Sequence, residues 1–152
     1  MKKGWIPEEK FKEIEKLMPI VCVNAMIVNE KDEVLLMLRN NEPLKGLYWF
    51  PGGRIKIGQS FEDTLKEEIE EETGLKWSDV EIFNQVSGSC TVCKTRHTVE
   101  FNFLLMKKTN SKIKLNEEHS DFKWVKIKDL DKYHPYLKWA LFGDWKSWEI
   151  KD

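Results

Sequence analysis

Three glutamates on one predicted helix are the residues of this sequence best suited to chemistry. Glu68, Glu71 and Glu72 precede Gly74, a residue typical of a helix end. At about 100° per residue, the three side chains span only about 100° of the helix circumference, so their carboxylates converge on one edge. Like charges at this spacing repel, and a hard divalent cation is the natural compensation. The spacing therefore indicates a metal-dependent phosphate chemistry.

A solvated acidic face is the alternative interpretation of this helix, because acidic runs on amphipathic helices are common. The acidic edge adjoins an apolar side made by Phe61, Leu65 and Ile69, so the glutamates cannot be wholly solvated. A tight turn at residues 51–53 precedes the helix, and Thr-Gly-Leu at residues 73–75 ends it. These flanking features favour the functional interpretation.

The surrounding elements predict one α/β domain over residues 1–152. Proline at position 7, followed by acids and by apolar residues at helical spacing, predicts an N-terminal helix over residues 7–18. Ser60 is expected to cap the acidic helix, with Asp63 completing a capping box. Apolar and β-branched runs predict strands over residues 20–28, 34–38, 80–87, 98–106 and 122–125. A helix between strands with mixed pairing predicts an α/β/α sandwich with a mixed β-sheet.

Composition limits the number of domains, the classes of partner and the cellular location that we expect for the protein. The 152 residues are enough for a single core, and the formal net charge of -1 gives no reason to expect a nucleic-acid or membrane partner. No apolar run is long enough to span a bilayer, and no signal-peptide pattern occurs. We therefore expect a cytoplasmic protein.

The three cysteines favour structural thiols over a disulfide framework, because their number is odd and no export signal precedes them. Cys90 and Cys93, followed by His97, have the spacing of half a zinc site. The sequence contains no second cysteine pair to complete it. Plain structural cysteines are the favoured interpretation.

The C-terminal segment over residues 133–148 is rich in aromatic side chains. Trp139, Phe142, Trp145 and Trp148 recur every three residues, as on a helix packed against the core. A homodimer interface or a platform for stacking a base is the functional alternative. Three aromatic residues elsewhere are further stacking candidates, although each is expected in the core: Tyr48, Trp49 and Trp124.

The segment from Gly53 to Leu75 resembles the signature of Nudix (MutT-like) hydrolases, G-x5-E-x7-R-E-U-x-E-E-x-G-U, where U is aliphatic. The matching residues are Gly53, Glu68, Ile69, Glu71, Glu72, Gly74 and Leu75. Gln59 stands where the signature has Glu, and Glu67 stands where it has Arg. The resemblance implies the α/β/α sandwich and a site for Mg²⁺, or for Mn²⁺. It assigns the metal ligands to Glu68, Glu71, Glu72 and the carbonyl of Gly52. Glu72 is the strongest candidate among these ligands and is also expected to be catalytic.

The two departures from the signature are expected to compensate one another. The Gln59 amide would donate a hydrogen bond to Glu67 and so support the metal ligands without an ion pair. Loss of the arginine weakens their orientation, and Glu67 adds negative charge near the metal site.

Further strings resemble the GDP-mannose mannosyl hydrolase branch of the family over about residues 5–125. They are Arg39-Asn-Asn-Glu-Pro43, Gly46, Trp49-Phe-Pro-Gly-Gly-Arg54 and Asn116-Glu-Glu-His119-Ser-Asp-Phe-Lys-Trp124. The branch resemblance implies that Arg39 and Arg54 bind phosphates and stabilise the departing GDP. It also implies that Glu118 approaches the metal and that His119, with a pKa suited to neutral pH, is the general base. Asn24 stands at a substrate-binding position where the branch has Asp.

Three functions stay open at this point. The first, which we expect, is Mg²⁺-dependent hydrolysis of a nucleotide sugar such as GDP-mannose to GDP and the free sugar. The second is cleavage of the pyrophosphate bond of a nucleotide sugar or nucleoside triphosphate, which the complete set of three glutamates favours. The third is a weakly active Nudix-like binding module, which the retention of all three glutamates disfavours.

Overall fold

The structure, a computed structural model, describes residues 4–143 and 146–150, apart from the side chain of Val86. Its helices are α1 (Glu8–Leu17), α2 (Phe61–Thr73) and α3 (Pro135–Phe142), with 3₁₀ turns at Trp77–Asp79 and Ile127–Lys132. Its strands are β1 (Ile20–Val28), β2 (Glu33–Arg39), β3 (Tyr48–Trp49), β4 (Gly52–Arg54), β5 (Val80–Val92), β6 (His97–Lys107), β7 (His119–Lys126) and β8 (Lys146–Glu149). In the part of the chain so described, no helix is long and apolar enough to cross a membrane.

The sheet is mixed, as predicted, and β1 is its central strand. β1 runs parallel to β6 over its whole length, from Ile20 opposite Thr98 to Val28 opposite Met106. Its other edge is shared: residues 22–24 pair antiparallel with β4, and Val28 pairs with β2. β2 in turn pairs with β3 and, along its length, with β7. The short strand β4 is thereby inserted beside the first half of β1.

Helices cover both faces of the sheet, so the predicted α/β/α sandwich is confirmed. Val23 and Ala25 of β1 face α2 and pack in one apolar cluster with Leu65 and Ile69. Alternate residues of the same strand face the other way, because successive side chains of a strand point to opposite faces. Met26 and Val28 accordingly pack in the second cluster, which contains α3.

Helix α2 has the ends that its sequence predicts. The Ser60 hydroxyl accepts a hydrogen bond from the Asp63 backbone N–H at 3.1 Å, and the Ser60 N–H donates to the Asp63 carboxylate at 2.9 Å. Gly74 ends the helix with φ at 71°, in the left-handed region that favours glycine. This capping box holds the start of the helix that carries the three glutamates.

The C-terminal aromatic residues do not lie on one helix, so that prediction is wrong. Helix α3 ends at Phe142, and Trp148 lies in β8, which pairs in parallel with β5. Trp139 and Trp148 nevertheless meet at the core, with ring centroids 5.6 Å apart, while Phe142 is 73% exposed. Trp145 lies outside the described residues.

Candidate functional site

The three glutamates of α2 lie in different environments. Glu72 is buried at 3% exposure, Glu68 is half-buried and Glu71 is exposed. The difference arises because α2 packs on the sheet through Leu65 and Ile69, and Glu72 lies one turn beyond Ile69. The acidic edge therefore runs from the protein interior to solvent.

Two glycines of β4 allow the acidic helix and strand β1 to approach β4 closely. The Gly52 N–H donates a hydrogen bond to Glu72 Oε2 at 2.9 Å. A Cβ atom at Gly53 would lie 2.4 Å from the Glu68 carboxyl carbon, and one at Gly52 would lie 2.2 Å from the carbonyl oxygen of Val23. Any larger residue at either position would displace a site carboxylate or the neighbouring strand.

Strands β2 and β7 bring three further predicted residues to this place. Arg39 pairs in register with His119, and the Asn40 N–H donates to the carbonyl of Glu118 at 2.9 Å. His119 Nε2 lies 3.9 Å from Glu72 Oε1. The sheet thus joins the signature helix to a segment almost 50 residues further along the chain.

Burial governs the electrostatics of the carboxylates. It raises the pKa of Glu68 to about 7, and the charges of Glu71 and Glu118 act in the same direction. Burial also raises the pKa of Glu72 well above its ordinary value, supported by the charges of Glu68 and Glu118. The carboxylates thus repel one another in a low-dielectric setting, where a cation would be favourable.

The donor chemistry of this cluster fits a hard divalent cation. Carboxylate oxygens are the protein ligands that Mg²⁺ and Mn²⁺ prefer. Among the described residues, no three His, Cys, Asp or Glu side chains are grouped closely enough to hold a metal ion. The carboxylates of Glu68, Glu71, Glu72 and Glu118 would therefore have to lie closer together to share one ion.

His119 differs from its prediction in its acidity. Burial, and then the neighbouring Arg39, lower the pKa of His119 to about 4. The expectation of a pKa near neutrality is wrong here, because both causes disfavour the charged imidazolium. The imidazole is uncharged at neutral pH and is a weak base.

Arg54 and Arg96 hold the N-terminal helix against this end of the sheet. The guanidinium of Arg54 lies 5.1 Å from the ring centre of Phe11, and that of Arg96 lies 5.3 Å from the same ring. Arg96 also forms an ion pair with Glu15 at 2.8 Å. Arg54 follows Gly53 directly, so α1 covers a cation that lies next to the glycine turn.

Asn24 does not present a free amide to a substrate. It is 6% exposed, and its Nδ2 donates to Asn102 Oδ1 at 2.8 Å and to Glu100 Oε2 at 3.2 Å. The Tyr136 hydroxyl donates to the same Glu100 oxygen at 2.5 Å. Asn24 thus belongs to a buried polar network under α3, and we do not retain it as a substrate contact.

The hydrogen bond predicted between Gln59 Nε2 and the Glu67 carboxylate is present. The third member of this group is Lys56, whose Nζ lies 2.7 Å from Glu67 Oε1 and which was not predicted from the sequence. A signal for it existed: exchanging Glu and Arg of the signature for Gln59 and Glu67 leaves one negative charge uncompensated. Lys56, in the same loop, compensates this negative charge.

The aromatic stacking candidates and the cysteines make contacts within the protein that explain them without a functional role. Trp49 is buried and stacks on Tyr136 with ring centroids 5.2 Å apart, as expected for a core residue. Tyr48 donates its hydroxyl hydrogen to Asp121. Cys22, Cys90 and Cys93 are free thiols, and burial raises the pKa of Cys22 to about 12.

A cavity of about 470 Å³ lies away from this cluster, beside the turn between β1 and β2. Its walls include Trp124, Phe122 and Lys107, and none of the predicted metal ligands. The cluster at the glycine turn, not the cavity, is the candidate active site, because it contains the buried Glu72 and the half-buried Glu68 with Arg39 close to Glu72.

An acidic helix on a Gly-Gly turn, within a mixed-sheet sandwich, is the arrangement that the Nudix signature implies. A family model for the NUDIX domain matches residues 18–142, which is most of the chain. The chain therefore belongs to the Nudix family.

Similar proteins support the family and vary in their named activities. The chain is 30% identical over 128 residues to a nucleoside triphosphatase, NudI, of Escherichia fergusonii, covering 75% of this chain and 85% of that protein. It is 45% identical over 60 residues to an ADP-ribose pyrophosphatase of Methanocaldococcus jannaschii, but this match covers only 39% of this chain and 34% of the relative. The matches to this ADP-ribose pyrophosphatase and to two further relatives thus cover about a third of the relative's length or less.

Solved structures share the fold. A MutT protein from Methanosarcina mazei superimposes with a TM-score of 0.69 at 25% identity, over 78% of this chain and 87% of that one. The NUDIX domain of Shewanella oneidensis NrtR, solved with ADP-ribose, gives a TM-score of 0.63 at 21% identity, over 89% of this chain and 96% of that one.

Proposed function

We propose that this protein is a divalent-metal-dependent hydrolase of nucleoside diphosphate derivatives. The observation that carries the proposal is the buried Glu72 carboxylate, held on the Gly52 N–H at 2.9 Å beside Glu68. A buried carboxylate next to like charges is costly unless a cation joins it. Family membership and the named activities of the relatives support the same class of reaction.

Five groups would hold the metal: the carboxylates of Glu68, Glu71, Glu72 and Glu118, and the carbonyl of Gly52. When bound, Mg²⁺ or Mn²⁺ neutralises phosphate charge and stabilises the charge that develops on the leaving group.

The two arginines at the site would bind the phosphates. Arg39 lies close to both Glu72 and Glu118, and its Nε donates to the carbonyl of Pro43 at 2.8 Å. That contact leaves the Nη groups of Arg39 to act as donors to phosphate oxygens. Arg54 would reach the substrate from β4, at the boundary with α1.

We favour the pyrophosphate bond as the bond cleaved. All three signature glutamates are present, and relatives are named as a pyrophosphatase and a triphosphatase. His119, with its pKa lowered to about 4, is a weak acceptor for the proton of attacking water. A site carboxylate is the better acceptor for this proton. His119 then stays uncharged beside Glu72 and is not the general base.

Hydrolysis of GDP-mannose to GDP and mannose is the second candidate. The observation in its favour is that Arg39, Glu118 and His119, which carry the branch resemblance, lie together beside Glu72. His119 is the general base in this reading.

Phosphorus NMR of the products distinguishes the two reactions. The protein is incubated with Mg²⁺ and either GDP-mannose or ADP-ribose. Pyrophosphate cleavage gives a nucleoside monophosphate and a sugar phosphate, whereas glycosyl cleavage of GDP-mannose gives GDP and no second phosphorus product. Glu72→Gln serves as the inactive control.

A wider panel of nucleotide sugars and nucleoside triphosphates extends the test. If the protein turns over none of them with Mg²⁺ or Mn²⁺, the hydrolase hypothesis is rejected and the hypothesis of a Nudix-like binding module is favoured. The homodimer and the cytoplasmic location stay predictions, which light scattering and cell fractionation test.

A further inference from the structure

The loop before α2 contains a positive charge that the family signature does not include. In the signature, an acid and an arginine stand at positions 59 and 67, and their charges cancel. Here Gln59 and Glu67 leave one negative charge. Lys56 Nζ lies 2.7 Å from Glu67 Oε1, with each side chain only 21% exposed.

Gln59 fixes Lys56 in this position. The Gln59 side-chain oxygen accepts hydrogen bonds from the Lys56 backbone N–H at 3.1 Å and from the Thr64 hydroxyl at 3.3 Å. The Gln59 backbone N–H donates to the Lys56 carbonyl at 3.0 Å, and its side-chain amide donates to Glu67. The loop, the first turn of α2 and Glu67 therefore form one hydrogen-bonded unit.

This unit adjoins the proposed metal ligands. Glu67 immediately precedes Glu68 and lies one helical turn before Glu71, so an unpaired charge at Glu67 would repel both. The half-buried setting strengthens such repulsion relative to water.

We propose that Lys56 is a positioning residue for the metal site. It neutralises Glu67 and, with Gln59, holds the start of α2 so that Glu68 and Glu71 are presented to the divalent cation. The inference rests on the proposed function, and it gives Lys56 the task that the signature arginine has in the family pattern.

The first test compares Lys56→Met with Lys56→Arg and with Lys66→Met, which removes an exposed lysine from α2. Mn²⁺ binding is measured by electron paramagnetic resonance, independently of activity. Because residues that orient metal ligands typically contribute about 10- to 100-fold to metal affinity, Lys56→Met should weaken Mn²⁺ binding by about tenfold or more. Lys56→Arg should keep the Mn²⁺ affinity of the unmodified protein, because it keeps the positive charge. Lys66→Met should leave the Mn²⁺ affinity unchanged.

The second test removes the need for Lys56. The double variant Gln59→Glu, Glu67→Arg supplies its own ion pair, so Lys56→Met should change Mn²⁺ affinity less than twofold in that background. A structural role alone would weaken binding equally in both backgrounds, and that result overturns the proposal. If Lys56→Met by itself does not fold, a loss of Mn²⁺ affinity of about tenfold or more on adding Lys56→Met to the double variant overturns the proposal.

The outcomes separate this inference from the proposed function. If the unmodified protein binds Mn²⁺ and hydrolyses its substrate but Lys56→Met binds Mn²⁺ equally well, only the positioning role is rejected. If the unmodified protein neither binds Mn²⁺ nor shows metal-dependent hydrolysis, both proposals are rejected.

Discussion

Glu68→Gln should stabilise the folded protein while weakening metal binding. The Glu68 carboxyl has an ordinary pKa of 4.5, and burial raises it to about 7 in the fold. Between these values the folded state binds more protons than the unfolded state, so stability falls as pH rises from 4.5 to 7. Glutamine keeps the shape of the side chain and cannot ionise, so the variant does not show this loss.

The magnitude follows from the difference between the two pKa values. At about 1.4 kcal/mol per pH unit, ionised Glu68 costs at most about 3 kcal/mol above pH 7. For a chain of this size, that corresponds to about 6–12 °C in the melting temperature at pH 8. At pH 4.5 the two proteins should melt within about 2 °C of each other.

Thermal or urea unfolding in EDTA across pH 4.5–8 measures this difference. His119 acts in the opposite direction, because its lowered pKa makes stability rise with pH between about 4 and 6.5. Its contribution is common to both proteins and cancels in the comparison.

Saturating Mg²⁺ should narrow the stability difference between the two proteins at pH 8. A ligand at 100 times its dissociation constant stabilises the folded state by about 2.7 kcal/mol, and the variant binds it less tightly. A variant that is no more stable than the unmodified protein at pH 8, or a difference that does not change with pH, would refute this account of Glu68.

Three other changes test separate parts of the site. Glu72→Gln should lower kcat by about 1,000-fold or more with unchanged circular dichroism, whereas Glu70→Gln, on the exposed side of α2, should have normal kcat; similar rates for both would remove Glu72 from the metal site. The unmodified protein should lose up to about 3 kcal/mol of stability as pH falls from 6.5 towards 4, because His119 must stay uncharged in the fold. His119→Asn should remove this loss, as measured by urea unfolding in EDTA. An unchanged acid transition contradicts the lowered pKa. Tyr136→Phe should destabilise the protein by about 2 kcal/mol in urea unfolding, because Glu100 loses a hydrogen bond of 2.5 Å; no change would mean that the buried carboxylate is satisfied without it.

Local patterns predicted the regular elements well. The bounds of α2, its capping box and its glycine end follow from residues within one or two helical turns of each other. The apolar run of β1 was equally clear. Short strands were missed, because the pairing of β3, β4 and β8 depends on distant neighbours and not on their own composition.

The three glutamates of α2 were identifiable in the sequence as candidate metal ligands, because helical geometry converts their spacing directly into a shared edge. Their unequal burial was not. Glu72 is buried and Glu71 exposed because of where the sheet lies beneath α2, and helical periodicity carries no information on that. Asn24 shows the same limit, since its amide hydrogen-bonds residues nearly 80 positions away.

The sequence by itself determined the acidic helix, its caps, the glycine turn and the α/β order, since each depends on residues close together in the chain. Only the tertiary structure placed Arg39, Glu118 and His119 beside Glu72, through the register of β2 with β7. It also decided the pKa of His119 and the partner of Glu67, because acidity and charge compensation depend on burial and on neighbours that the folded sheet and loop supply.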